Sequence, residues 1–222
     1  VQLTPVQVRV LGCLVEKERT TPDNYPLTMN ALLAACNQTT NRYPVVSFTP
    51  PTVANAVENL KGDNLLRIDY SRSNRADKYR HVLDQVLDVD DGEISLLAVL
   101  MLRGPQTAAE LRARVERLHP FADQAEVDAV LARLAARPEP LVTRLAPLPG
   151  QKEARWAHLL AGEVSPEDVA AASSSSPSSD PSRVSRTERL EALEAAVAAL
   201  TDELDRLRTA HEALESRVNG LL

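Results

Sequence analysis

Aromatic side chains, glycine and cysteine are all scarce in this chain of 222 residues: aromatics make up 3%, glycines number seven and cysteines two. With 44% apolar residues and so few rings, any core must be built from Leu, Val and Ala. Cys13 and Cys36 stand in separate apolar-periodic segments, with no Cys-x-x-Cys and no histidine at metal-ligand spacing. That excludes a zinc ribbon or a disulfide framework and reads as two reduced core thiols. The glycines form no phosphate loop or nucleophile elbow, and no paired carboxylates stand out, so neither an enzyme nor a cofactor or metal is expected. No run approaches eighteen apolar residues and no basic-then-apolar leader opens the sequence; a cytoplasmic protein without a membrane partner is expected.

A basic excess is missing as well, since the net charge is −6. The charge is unevenly spread: residues 1–85 carry 10 Lys+Arg against 8 Asp+Glu, residues 86–161 carry 9 against 11, and residues 162–222 carry 6 against 12. The acidity belongs mainly to the tail, which follows a low-complexity run, "AAASSSSPSSDPS". Such a run buries too little apolar surface to order itself, so residues 163–186 are read as a flexible linker.

Residues 1–162 contain an imperfect repeat. In "LTPVQVRVLGCLVEKE", Thr4 caps, Pro5 takes the first helical position, Gln7 completes a capping box, and Leu3 staples onto Val8. A second helix starts at Thr28, with Leu27 stapling toward Leu32. A third starts at Thr49-Pro50 with a Val53, Val57, Leu60 stripe ended by Gly62. "LLRIDY", the turn "SRSNRA" and "DKYRHVL" then read as an antiparallel hairpin. The order recurs from "ISLLAVLML" onward, with capping boxes at Thr107/Glu110 and Asp123/Glu126 and a hairpin of "PLVTRL" and "ARWAHLL". Val127, Leu131 and Leu134 follow the first stripe at an offset of 74, and "RWAH" follows "KYRH" at 77. Three helices and a hairpin, used twice, give the expected fold: mainly α with small β-hairpins, as tandem winged helix-turn-helix units at 1–85 and 86–162 followed by a C-terminal coiled-coil helix.

That helix is read over 187–222. Leu190, Leu193, Val197, Leu200, Leu204, Leu207, Leu214 and Val218 recur at spacings of three and four, with His211 at one seam position. Self-association as a parallel coiled-coil dimer is the favoured expectation; packing onto the globular part or onto another protein is the alternative.

The runs "LGCLVEKERTTPDNYPLTMNALLAACNQTTNRYPVV", "MLRGPQTAAELRARVERLHPFAD" and "PGQKEARWAHLLAG" closely resemble the YceH-like family of bacterial proteins, over residues 3 to about 162. The resemblance implies tandem winged helices. The family has no assigned biochemical function, so it implies no substrate, cofactor or catalytic residue.

Function is therefore argued from the hairpin "YSRSNRADKYRH" and the helix before it. A winged helix inserts its third helix into a major groove and lets the wing reach phosphates or the minor groove. The candidate contacts are Arg42, Thr52, Asn55, Asn59, Lys61, Arg72, Arg75, Lys78 and Arg80, with Arg72 and Arg75 at the tip and Arg67 on the first strand. Thr52, Asn55, Asn59 and Lys61 face away from the third helix's stripe, where they can read base edges, although Glu58 opposes them. The second unit's third helix carries Asp123, Glu126 and Asp128, which repel phosphate. A DNA-associated, transcription-regulator-like protein contacting duplex DNA through unit one is the first expectation. A protein-interaction adaptor that binds no DNA is the alternative, and in it the hairpin is basic for solubility alone. A positive surface joining Arg42, Lys61 and the wing tip favours DNA; an apolar patch along the third helix favours the adaptor. His81 and His158 are read as hairpin residues with a polar tip, "EKE" (16–18) as a solvated helix end and "DVDDGE" (88–93) as a linker.

Overall fold

The computed structural model describes residues 2–70, 76–147 and 153–163. They all lie in the first of two units of the chain, Val1–Ser175. The second unit, Ser176–Leu222, contains every heptad position named above; these, residues 164–186 of the linker, and the tip arginines Arg72 and Arg75 lie outside the described residues.

The architecture is mainly helical with small antiparallel hairpins. The first helix, α1 (Pro5–Thr20), starts at the expected box: Gln7 N donates to Thr4 Oγ1 and Thr4 N to Gln7 Oε1. α2 (Met29–Cys36) is capped by Thr28, whose Oγ1 accepts from Ala31 N. α3 (Pro50–Gly62) follows, then the strands β2 (Leu66–Asp69) and β3 (Lys78–His81). A two-residue strand just before α2, β1 (Leu27–Thr28), completes a sheet of order β1-β3-β2.

After a short helix, α4 (Leu83–Leu87), the order repeats as α5 (Asp91–Arg103), α6 (Ala108–Val115), α7 (Gln124–Ala135), β4 (Val142–Leu145) and β5 (Arg155–His158). The repetition reaches further than the sequence suggests. An isolated bridge between Gln106 and Trp156 stands where Leu27 of β1 pairs with Tyr79 in the first copy. Val53, Val57 and Leu60 in α3, and Val127, Leu131 and Leu134 in α7, are all buried; each contributes about 1.5–3 kcal/mol of transfer free energy.

Three local expectations need correction. "DVDDGE" is the start of α5, because Asp90 and Glu93 form a reciprocal capping box and Arg133 donates to both carboxylates at 2.7 and 2.8 Å. α4 occupies residues expected to form the end of a strand and its linker, and Arg137 holds its end by donating to Leu87 O and Asp88 O. α3 ends at Gly62, as expected, but the glycine is not the left-handed residue of that ending. Asn64 takes the left-handed position at φ 58°, with Leu65 N bonded to Leu60 O and Asn64 N to Lys61 O, the paired bonds of a Schellman ending.

The two copies share one apolar core. α1 is buried continuously from Gln7 to Val15 and α5 from Gly92 to Leu102, because each packs against its own copy and also against the other. Gly12 sits at their crossing, where a Cβ would lie 3.0 Å from Leu102 and 3.2 Å from Met101. At Gly62 an added Cβ meets nothing within 4 Å. The two glycines therefore carry opposite expectations under urea denaturation. Gly62→Ala stabilises by roughly 0.5–1 kcal/mol through helix propensity, whereas Gly12→Val destabilises by about 1–3 kcal/mol through overpacking.

Candidate nucleic-acid interface

β3 runs between β1 and β2, and its pairing assigns the residues of β2 and β3 to faces. Leu66 lies opposite His81 and Ile68 opposite Tyr79; Tyr79 and His81 are buried. On the other face Arg67 lies opposite Arg80, Asp69 opposite Lys78, and Thr28 of β1 beside Lys78. Arg67 is exposed and Lys78 and Arg80 are half-exposed, while Tyr70, at the end of this strand, is 67% exposed. Directly opposed like charges in a sheet are unfavourable in water, so Arg67 and Arg80 form a pair whose repulsion an anion relieves.

α3 presents Asn55, Glu58, Asn59 and Lys61 to solvent and buries Val53, Ala56, Val57 and Leu60. Lys61 lies 3.6 Å from Glu58, so part of its charge is answered on its own helix. Thr52 is half-buried, and its hydroxyl bonds that of Thr49 at 2.8 Å. The residue that positions α3 is one that sequence reasoning misses: Asn37, after α2, accepts from Phe48 N at 2.7 Å and donates to Phe48 O at 2.9 Å. An asparagine bracketing one backbone residue eleven positions away leaves no mark in helical periodicity.

Arg42 has to be withdrawn from the interface. Its side chain has no exposed surface, and it donates to both oxygens of Glu16 at 2.9 and 2.5 Å, to Ala35 O and Asn41 O, and to Gln38. Burial is the largest single influence and opposes the charge, but the Glu16 hydrogen bonds and the interactions with Cys13 and the Glu16 charge together outweigh it, and the guanidinium pKa ends above its ordinary value. "EKE" is correspondingly more than a solvated end. Glu16 holds Arg42, and Glu18 meets His81 Nε2 at 2.8 Å while His81 N donates to the Tyr25 hydroxyl. The positive surface expected from Arg42 to the wing is thus interrupted at its first member. Arg42→Ala removes the main partner of Glu16 and is expected to lower the unfolding free energy by about 3–5 kcal/mol in a urea titration.

The second hairpin departs from the first where contact with a ligand is at stake. By pairing register Arg155 and Ala157 stand at the places of Lys78 and Arg80, yet both are buried. Arg155 donates to Pro105 O at 3.1 Å and to Glu110 at 2.9 Å. The face that is open in the first copy is closed in the second, and α7 begins with Asp123 and Glu126, both exposed.

His158 lines a cleft of about 430 Å³ with Leu3, Pro5, Leu100 and Met101. Its Nδ1 is sealed from solvent and has no hydrogen-bond partner among the described residues. Burial pulls its pKa down to about 4. Below its ordinary value of 6.5 the unfolded chain binds a proton that the native ring refuses, so stability falls as pH drops from about 6.5 to about 4. In denaturant titrations at pH 7, 5.5 and 4.5, His158→Gln is expected to remove up to about 3 kcal/mol of that decline.

Among the described residues no three metal-ligating side chains gather, and no helix is long and apolar enough to cross a membrane. The model of the family described as "Protein of unknown function, DUF480" matches residues 3–151. A UPF0502 protein of Geobacter sulfurreducens is 53% identical over 161 residues, 72% of this chain and 73% of the relative. A UPF0502 protein of Burkholderia cenocepacia is 48% identical over 173 residues (78% and 72%), and one of Leptothrix cholodnii 52% over 171 (77% and 75%). The YceH-like resemblance agrees with these matches, and with the family model covering more than half of its length the chain belongs to the DUF480 (UPF0502) family of bacterial proteins.

Proposed function

We propose that this is a DNA-associated, transcription-regulator-like protein of the cytoplasm, not an enzyme, built from two winged-helix units of which the first contacts duplex DNA. The observation that carries the reading is the open face of the first hairpin, where Arg67 and Arg80 oppose each other beside Lys78. The tip arginines Arg72 and Arg75 extend this set in sequence, toward phosphates or a narrow minor groove. α3 offers Asn55 and Asn59, both exposed, side chains able to bond adenine edges. Asymmetry between the copies supports the same assignment, since the corresponding face of the second hairpin is closed by the Arg155–Glu110 pair.

Dimerisation through the heptad positions Leu190 to Val218 belongs to the same proposal and rests on their spacing. It would join two weak sites into one stronger one wherever the linker spans them. Against the adaptor, the large exposed apolar side chains among the described residues are Val45, Tyr70 and Val86, none of them on α3.

The test is fluorescence anisotropy of a labelled duplex pool at several salt concentrations, with the full chain, with Arg67→Gln/Arg80→Gln and with Arg72→Ala/Arg75→Ala. The expected result is salt-sensitive binding whose log–log slope becomes shallower by about 0.9 for each phosphate that the variant no longer neutralises. Absence of binding by the folded protein at low salt would assign the hairpin to solubility and the function to protein partners.

A further inference from the structure

A second group of cations lies away from the hairpin. The end of α1, the Asn41 loop, the end of α5 and α6 enclose a cleft of about 280 Å³ whose wall includes Arg103, Arg114 and Arg117 over an aliphatic floor of Val99 and Leu102. Its own carboxylate, Glu16, is already held bidentately by Arg42. Glu110 is 3.9 Å from Arg114 but accepts from Arg155 at 2.9 Å, and Arg117 has no ion pair among the described residues. Three guanidiniums therefore line one cavity, against one lining carboxylate, Glu16, that Arg42 already engages, and one neighbouring carboxylate, Glu110, that Arg114 shares with Arg155. Arg103 registers the consequence: burial, and then the positive charge of Arg114, hold its pKa below the ordinary value.

The cleft is also built rather than incidental. Arg103 donates to the Asn41 side chain, Asn41 is fixed in the left-handed region at φ 59°, and Tyr43 N bonds Leu102 O at 2.8 Å. Both copies of the repeat contribute to it. A guanidinium fork fits the oxygens of a phosphate group, and several forks suit a doubly charged one better than a carboxylate.

We propose that this cleft binds a small phosphate-bearing anion, inorganic phosphate or a phosphomonoester, with Arg103, Arg114 and Arg117 as its ligands and the aliphatic floor beneath any organic part. The site is independent of the nucleic-acid reading.

The experiment is calorimetric titration of the full chain with inorganic phosphate and, separately, with adenosine monophosphate, the ionic strength being held constant with sodium chloride. Saturable binding of at least one is expected, weakened about tenfold or more in Arg114→Gln/Arg117→Gln and unchanged in Arg144→Gln, an exposed arginine of β4. Both substituted arginines lie at or near the surface, and a melting curve checks that the variant folds. If it does not, the wild-type titration alone decides. No saturation by either anion up to about 10 mM overturns the site, as does equal affinity in the double variant. A short duplex serves as a third titrant. Loss of duplex binding in the Arg114/Arg117 variant, with no response of the wild type to either small anion, would make the cleft part of a DNA surface and overturn the proposal.

Discussion

The described fold hangs on the crossing of α1 and α5, two helices each buried on both sides. An amphipathic helix keeps one stripe in a core and leaves the rest wet. α1 cannot, because its second side is covered by the other copy. Its polar residues therefore need internal partners: Gln7 closes the capping box, and Arg9 donates to Cys36 O and Pro44 O. Gly12 lets the crossing be close. Two units that could have been separate domains are fused into one core by this requirement.

The fusion also decides which charges are available. Polar side chains toward the end of α1 and at the start of α5 take long-range partners, as in Glu16–Arg42 and Asp90/Glu93–Arg133. Cations on the outer face of the first hairpin, Arg67, Lys78 and Arg80, lie farther out and keep exposed surface. A protein with a net negative charge can thus keep local positive surfaces, because its buried arginines are held by carboxylates, as Arg42 and Arg155 are, or by backbone carbonyls, as Arg9 is.

Helix starts are legible in the sequence to the residue wherever a capping box or a threonine cap precedes an apolar stripe, as at Thr4, Thr28 and Thr107. The buried triads of α3 and α7 follow from periodicity alone. What escapes depends on long-range partners. Arg42 in a polar loop gives no sign of a glutamate 26 positions upstream, and an acidic run such as 88–93 looks solvated until Arg133 arrives from forty residues away. Gly62 reads as a stop because glycine is the commonest left-handed residue, but Asn64 two positions on fills that role. The candidate interface is half legible. Strand alternation separates Lys78 and Arg80 from Tyr79 and His81, whereas the opposition of Arg67 to Arg80 requires the register.

Modules on a flexible tether search for their targets at a local concentration set by tether length and stiffness. The hairpins here hang instead from helices in contact at Gly12, so the distance between them is a constant of the fold, as the gap is in a fixed gauge. A partner that engages both copies must present its contact points at that one separation. A bulkier residue at the crossing would be felt far from it, as a change in the length the gauge accepts.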